Sequence, residues 1–249
     1  MAGRAYSTEA VVLRSIRLGE ADRVLHLYTA AHGRVGAVAK GVRKTTSRFG
    51  ARLEPLSHVE LVLHRGRGEL ETVTAAQLVH SHRHAREDYY RFSVGTIGAE
   101  AMLRLFSEQE ANERAFTAIT RFLDLLDETP HTADRPALDP LGLAFQLKLL
   151  WLAGYLPHLS ACAECGAERE PLVGYSPRAG GAVCARCAPV TQALALAGEG
   201  IAAIEAFLAQ PLADAARLDL SERARRDALR VVTASYEYHG GFRLRTLSA

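Results

Sequence analysis

The first eighty residues form short runs in which apolar and polar positions partly alternate. The runs are YSTEAVVLRSIRL, RVLHLYTA, RVGAVAKGV, SHVELVLH and ELETVTAAQLV, and they are separated by GEAD, AHG and RGRG. Period-two alternation is typical of strands with one buried face, so Val59, Leu61 and Leu63 should share one side of a strand. Gly66 and Gly68 can adopt the positive φ of a tight connection, so HRGRGELE predicts a hairpin turn.

Beyond the predicted strands, apolar residues repeat every three or four positions, which predicts helices. A further short helix is predicted near residues 200–210, and another should begin at Ser221 as its N-cap and end near Gly240 and Gly241. Trp151 lies beside the third apolar stripe and is predicted to be a core residue. The three stripes are Tyr90, Val94, Ile97, Ala101 and Leu105; Phe116, Ile119, Leu123 and Leu126; and Leu141, Phe145, Leu149 and Leu152.

Together these patterns predict an α+β protein. Five short strands within about eighty residues suggest a small closed barrel, and the five-stranded OB-fold is the common nucleic-acid-binding barrel of this size. We therefore expect an OB-fold barrel over residues 1–80, followed by a mainly helical domain over residues 81–249. A cysteine-rich module at residues 158–190 is expected to interrupt the helical domain.

All four cysteines lie in the stretch CAECGAEREPLVGYSPRAGGAVCARC. The pattern C-x2-C, eighteen residues, C-x2-C falls within the spacing of zinc ribbons, because each pair can bring two thiolates to one ion. With Cys162, Cys165, Cys184 and Cys187 all ligating, no position stays open for water, so we expect one structural zinc ion and no metal catalysis. A structural role is favoured over a module that itself contacts nucleic acid, since nearby glutamates oppose its few basic residues.

Charge is distributed unevenly along the chain, although the formal net charge is only +2. Residues 1–80 carry twelve basic and seven acidic side chains, which indicates a polyanionic partner for this part. The densest cationic stretch is KGVRKTTSRFGARLEP, residues 40–55, in a predicted loop between two strands. A phosphate backbone would relieve the repulsion among these charges and release condensed counterions. The candidate DNA-binding cations are Lys40, Arg43, Lys44, Arg48 and Arg52 in this loop, Arg65 and Arg67 in the hairpin, and Arg34.

Phe49 lies between two of the loop arginines and has two interpretations. Its ring could stack on a base, as aromatic side chains do in single-strand channels. Alternatively, it is a buried anchor that holds the loop on the barrel. The basic stretch as a whole also has a plainer interpretation, as an ordinary solvated surface.

Several classes of function lack their sequence signature. Neither the phosphate-binding pattern G-x4-G-K-[ST] nor the G-x-S-x-G nucleophile elbow occurs. His80, His82 and His84 alternate, but no cysteine accompanies them, and we expect them to be exposed. The N-terminus lacks the features of a secretory signal, and the apolar stretch GLAFQLKLLWLAGYL contains Gln146 and Lys148 and is shorter than a bilayer crossing. We therefore expect a non-enzymatic cytoplasmic protein with no membrane contact.

Two segments resemble the bacterial RecO family of recombination-mediator and DNA repair proteins. They are AKGVRKTTSRFGARLEPLSHVELVLHRGRGELETVTAAQLV, residues 39–79, and FQLKLLWLAGYLPHLSACAECG, residues 145–166, within a likeness that covers essentially the whole chain. The resemblance implies an OB-fold followed by a mostly helical domain. It further implies binding of single- and double-stranded DNA and annealing of complementary strands without nucleotide hydrolysis. Its implied partners are the RecR ring, the C-terminal tail of single-stranded-DNA-binding protein (SSB) and, indirectly, RecA, and it implies association with the nucleoid.

A different class of function stays open on the residues alone. A zinc-ribbon protein with an OB-like barrel could bind RNA or another protein, and RNA preference depends on contacts to 2′-hydroxyl groups that sequence does not reveal. A metal-dependent nuclease or deaminase is disfavoured, because no H-x-E sequence pairs with the cysteines and no metal position stays open.

Overall fold

The alternating segments at the start of the chain form a closed five-stranded barrel, as predicted. The computed structural model describes residues 4–44, 47, 49–130 and 133–247. The strands are β1 (Arg4–Leu18), β2 (Asp22–Thr29), β3 (Gly33–Ala39), β4 (His58–Arg65) and β5 (Glu71–His80). They hydrogen-bond in the order β1-β2-β3-β5-β4, and β4 pairs again with β1. Neighbours are antiparallel except β3 and β5, which run parallel. This closure fits the predicted OB-fold.

The barrel interior is filled by the apolar residues of the alternating runs. Val59, Leu61 and Leu63 are fully buried on one face of β4, as predicted. Phe49 and Leu53 come from the connection between β3 and β4 and pack into the same core. The connection is therefore anchored near its middle to the barrel interior.

β4 and β5 form the predicted hairpin, but its turn differs from the prediction. The connection spans residues 66–70, which makes it longer than a two-residue turn. Gly66 and Gly68 do not adopt positive φ. The extra residues close the hairpin without that conformation.

Helices that follow the barrel lie in the same compact unit, residues 1–129. They are α1 (Arg83–Glu87), α2 (Tyr89–Leu105) and α3 (Glu113–Glu128). α2 and α3 coincide with two predicted apolar stripes, and α2 begins where the Asp88 side chain accepts the N–H of Arg91. Gly95 allows α2 to approach the barrel closely, because a Cβ there would lie 2.6 Å from a methyl carbon of Leu56. An independent barrel domain at residues 1–80 stays a prediction.

Residues 130–249 make up the second compact unit. Its helices are α4 (Pro140–Leu152), α5 (Gly198–Ala209), α6 (Leu212–Ala215) and α7 (Glu222–Gly240). α7 begins at the predicted N-cap, since the Ser221 hydroxyl accepts the N–H of Ala224 at 3.1 Å, and it ends at Gly241 with a φ of 66°. Among the described residues, no helix is long and apolar enough to cross a membrane.

The prediction that Trp151 is a core residue is wrong. Its surface is 48% exposed, although α4 is buried along most of its length. Nearly every position of α4 from Pro140 to Leu150 is apolar or buried, so the stripe pattern did not indicate which position of the helix would be exposed to solvent.

A small antiparallel sheet carries the cysteine segment. Its strands are β6 (Leu172–Ser176), β7 (Gly181–Cys184) and β8 (Leu194–Ala195), in the order β7-β6-β8. Gly181 allows β7 to lie directly against the backbone of His158, because a Cβ there would lie 2.1 Å from the carbonyl oxygen of His158. The hydroxyl of buried Tyr175 in β6 lies 2.8 Å from that of Ser235 in α7. This hydrogen bond fastens the sheet to the helices of the second unit.

Candidate metal centre and candidate nucleic-acid surface

The four cysteines converge, as their spacing predicts. Their sulfur atoms all lie within 4.8 Å of one another, and none is in a disulfide. The Sγ atoms of Cys165 and Cys184 are 3.9 Å apart. Four thiolates bound tetrahedrally with metal–sulfur bonds of about 2.3 Å would lie about 3.8 Å apart. The cluster therefore fits a single tetrahedral metal ion.

Backbone turns hold each cysteine pair in place. The N–H of Gly166 donates to the carbonyl of Cys162 at 2.8 Å, and Gly166 has a φ of 72°, which favours glycine. The N–H of Cys187 donates to the carbonyl of Cys184 at 3.1 Å. Across the two pairs, the N–H of Cys184 donates to the Sγ atom of Cys162 at 3.4 Å. This last contact favours a charged sulfur at Cys162.

The thiols differ in acidity. Burial raises the pKa of Cys162, but hydrogen bonds from the backbone at Cys184, Cys165 and Glu164 outweigh burial and lower that pKa to about 6. Burial, followed by the neighbouring thiols, raises the pKa of Cys187 to about 12. A bound divalent cation supplies the positive charge that allows all four sulfurs to ionise together. With four thiolates bound, the centre is suited to holding structure and not to activating water.

The predicted basic loop begins as an exposed turn after β3. Lys40, Arg43 and Lys44 are all exposed there. Arg43 is hydrogen-bonded to carbonyl oxygens of the β1–β2 turn, residues 19–21, through its backbone N–H at 3.0 Å and its guanidinium at 2.8 and 3.3 Å. The loop cations are thereby held beside the β1–β2 turn, which is one of the loops that OB-folds use to bind oligonucleotides.

The middle of the loop turns inward. Phe49 is 2% exposed and belongs to the barrel core, so the buried-anchor interpretation is correct and its ring does not face a base. Arg52 is exposed, and its guanidinium lies 3.4 Å from the carbonyl oxygen of Phe49. Arg48 lies outside the described residues.

The position of the β4–β5 hairpin follows from the parallel pairing of β3 with β5. Because Ala37 lies opposite Glu71 in this parallel pair, residues 66–70 lie on the side of β3 that precedes Ala37, and a Cβ at Gly36 would lie 2.7 Å from a methyl carbon of Leu70. Arg67 in this hairpin is exposed. The register therefore places the hairpin toward the start of β3 and the basic loop beyond its end, so this pairing does not bring the two cationic segments together.

Arg65 is engaged within the molecule. Its Nε atom donates to buried Glu71 at 3.0 Å, and the Tyr6 hydroxyl donates to the other carboxylate oxygen at 2.7 Å. Burial, then the contact with Glu71, raises the pKa of Tyr6. The charge of Arg65 balances a buried carboxylate, which is a structural task.

Arg34 lies apart from the basic loop. It stands near the start of β3, six residues before Lys40, so the two are roughly 20 Å apart along the strand. Its guanidinium donates to the carbonyls of Leu103 and Phe106 and pairs with Glu108 at 2.8 Å. These contacts tie the barrel to the end of α2, and they engage the Arg34 guanidinium within the protein, so Arg34 is not part of the DNA-binding surface that we propose.

The histidine triplet is not uniformly exposed, so that prediction is wrong for one member. His82 is 0% exposed and has a left-handed backbone conformation with a φ of 43°. The Nδ1 atom of His80 and the Nε2 atom of His82 lie 2.9 and 3.0 Å from the same carboxylate oxygen of Asp124 in α3. The H-x-H pattern at a strand end was the available signal. Sequence reasoning missed the cluster because Asp124 is more than forty residues away along the chain.

Comparison with known proteins gives matches along nearly the full chain. A family model described as Recombination protein O N terminal matches residues 1–82, and one described as Recombination protein O C terminal matches residues 86–248. DNA repair protein RecO of Rubrobacter xylanophilus is 39% identical over 236 residues, which cover 93% of this chain and 90% of that protein. RecO of Frankia casuarinae is 39% identical over 244 residues, 94% of this chain and 93% of that protein. RecO of Anaeromyxobacter sp. is 37% identical over 237 residues, 94% and 91% of the two chains.

Proposed function

This chain belongs to the RecO family of DNA repair proteins, and on that premise we propose that it binds DNA through its barrel loops and anneals complementary strands. Family membership supports a role in DNA repair and recombination. The observation that carries the finer proposal is the exposed group of Lys40, Arg43 and Lys44 on the loop after β3, and Arg67 in the β4–β5 hairpin is a further exposed cation of the barrel. Arg52 belongs to the proposed surface as an exposed loop cation, and Arg48 belongs to it on sequence grounds alone.

The proposed mechanism is charge neutralisation. Two single strands repel each other through their phosphates, and a cationic surface that holds both backbones lowers this repulsion and lets complementary bases meet. Each neutralised phosphate also releases condensed counterions, which favours binding to either single- or double-stranded DNA. No bond is made or broken and no nucleotide is hydrolysed. The protein then works with RecR and the SSB tail to help RecA onto SSB-coated strands.

The cysteine centre holds one zinc ion in a structural role under this proposal. Four thiolates suit zinc in both number and type. Arg186 donates to the sulfur of Cys165 at 3.6 Å, so one of the few cations near the centre is directed at a ligand sulfur and not at a phosphate. The proposal therefore assigns the zinc ion the task of holding the module in shape.

The test is the salt dependence of DNA binding by the triple variant Lys40→Ala, Lys44→Ala and Arg67→Ala. The logarithm of the binding constant falls with that of salt by about 0.7 per phosphate contact on single strands and about 0.9 on duplexes. Loss of three contacts should therefore flatten the slope by about two to three units, together with weaker binding at low salt. Fluorescence anisotropy with labelled oligonucleotides over a range of KCl concentrations measures both quantities.

The matched control removes three exposed arginines elsewhere, Arg114→Ala, Arg121→Ala and Arg217→Ala, and changes the net charge equally. Its salt slope should match that of the unmodified chain. Equal slopes for the two triple variants would show that the barrel loops do not hold phosphates. Parallel titrations with RNA of the same sequence identify an RNA-binding barrel, if RNA is bound more tightly than DNA.

A further inference from the structure

We propose that His80, His82 and Asp124 form a second metal site, which takes a divalent transition-metal ion of the zinc class. The site lies in the first compact unit, where the end of β5, the start of α1 and α3 meet. It shares no residue with the cysteine centre, and it does not depend on the proposed DNA-binding function.

The hydrogen bonds of His82 determine which of its ring nitrogens has a lone pair for a metal ion. The Nδ1 atom lies 2.7 Å from the carbonyl oxygen of Leu56, which can only accept, so Nδ1 carries a proton. In a neutral ring the Nε2 atom then presents a lone pair. That lone pair points at an oxygen of Asp124 only 3.0 Å away. Two such electron-rich atoms face each other stably only when a positively charged species lies between them.

Three ligand atoms converge on the same point. The Nδ1 atom of His80 lies 2.9 Å from the oxygen of Asp124 that also faces His82, and one atom from each residue lies within 4.8 Å of the other two. Ligands on bonds of 2.0 to 2.1 Å are about 2.9 Å apart at right angles and about 3.3 Å apart at the tetrahedral angle. The observed nitrogen–oxygen distances therefore match ligands around one ion.

The choice of ion follows from the donor atoms. Two imidazole nitrogens and one carboxylate suit Zn²⁺, Fe²⁺, Co²⁺, Ni²⁺ or Cu²⁺, whereas Ca²⁺ and Mg²⁺ prefer oxygen donors throughout. Three protein ligands also leave room for water at the ion, unlike the cysteine centre.

The outer nitrogens of both rings face the kind of group that orients metal-bound histidines. Such histidines donate their other N–H to a carbonyl or carboxylate, which fixes the ring orientation. For His82 that acceptor is the carbonyl of Leu56. For His80 the facing group is the carboxylate of Asp127, whose Oδ2 atom lies 4.0 Å from Nε2, which is beyond hydrogen-bond distance. Asp127 is itself held by the backbone N–H of Ala85 at 2.8 Å.

An ion can reach this cluster from solvent. His80 and Asp124 are partly exposed, although His82 is fully buried. Asp127 also lines an adjacent cleft of about 710 Å³. Four of the six residues that line the cleft are acidic, which favours the entry of a cation. These residues are His84, Glu87, Asp88, Arg91, Asp127 and Glu128.

The experiment adds Co²⁺ to the full chain whose cysteine centre is already filled with Zn²⁺. Cobalt bound by nitrogen and oxygen absorbs weakly in the visible range, whereas cobalt that replaces zinc at thiolates adds an intense sulfur-to-metal band in the near ultraviolet. We expect about one equivalent of Co²⁺ to bind without the sulfur band. Elemental analysis after gel filtration should then give one cobalt beside one zinc.

Asp124→Asn and His80→Ala test the ligands, because both side chains are partly exposed and neither substitution opens a cavity at buried His82. Each should lose the equivalent of cobalt while keeping its zinc and its circular dichroism spectrum. The matched controls Asp219→Asn and His64→Ala should bind cobalt as the unmodified chain does. A zinc-filled protein that takes up no cobalt overturns the proposal, because a proton then lies between His82 and Asp124. Unchanged uptake by either ligand variant overturns the assigned ligand set.

Discussion

The basic residues of the N-terminal barrel differ in what their charges contact. Arg34 donates to two backbone carbonyls and pairs with Glu108, and Arg65 pairs with a buried glutamate. Lys40 and Lys44, by contrast, are exposed on the loop after β3. A cation that satisfies buried acceptors contributes to stability, whereas an exposed one is available to a phosphate. The two kinds should therefore respond differently to substitution.

Arg34→Ala should lower the free energy of unfolding by about 1–3 kcal/mol, because two carbonyl groups lose their donor. The salt dependence of DNA binding by this variant should equal that of the unmodified chain. Lys40→Ala should leave stability within about 0.5 kcal/mol and flatten the salt slope by about 0.7 to 0.9. Urea denaturation and DNA titration in KCl give the two numbers for each variant. A flatter salt slope for Arg34→Ala would show that Arg34 contacts a DNA phosphate.

At the scale of elements, the cysteine sheet has only a small core of its own. Apart from the cysteines, its buried cluster includes Val183 and a few partly buried side chains. Small loop-rich segments of this kind need a metal or a cross-link to stay ordered. The hydrogen bond between Tyr175 and Ser235 ties one strand of the sheet to α7, and the proposed zinc ion would stabilise the cysteine end.

Removal of the cysteine-bound metal should therefore disorder this segment selectively. We expect a strong chelator to increase amide hydrogen exchange across residues 158–195, while the strands of the barrel keep their protection. Hydrogen-exchange mass spectrometry resolves the two regions in one sample. Addition of Zn²⁺ after removal of the chelator should restore protection. If protection in this segment is the same with and without metal, the ion does not stabilise the sheet.

At the scale of the whole molecule, the proposed activity requires the barrel to hold DNA while other surfaces contact partners. The described chain divides into a barrel with three helices and a second unit of helices and the cysteine sheet. Strand annealing needs only the cationic surface, because base pairing supplies the driving force once repulsion is lowered. Work on SSB-coated strands additionally requires protein contacts.

The triple variant of Lys40, Lys44 and Arg67 should therefore lose annealing of bare strands and of SSB-coated strands together. The unmodified chain should anneal both without ATP, and a fluorescence assay with complementary labelled oligonucleotides follows the rates. The matched arginine triple variant described above should anneal like the unmodified chain. A requirement for ATP, or unchanged annealing by the Lys40 triple variant, contradicts the proposed mechanism.

Local pattern accounts for much of the fold. Period-two alternation predicted the buried face of β4, and the residues Ser221 and Gly241 predicted both ends of α7, because caps depend on groups within a few positions of each other. Pattern failed at Trp151, since an apolar helix does not indicate which of its sides a neighbour will cover. It also failed at Gly66 and Gly68, where a longer connection removed the need for positive φ.

The sequence by itself determined the barrel, the main helices and the cysteine ligand set, because strand period, helix period and C-x2-C spacing are all short-range relations. Tertiary structure alone decided which charges are engaged and which remain available. It joined Arg34 to Glu108 and Arg65 to Glu71, and it buried Phe49. It also brought Asp124 to His80 and His82. Contacts between residues distant along the chain depend on packing, which no local pattern encodes.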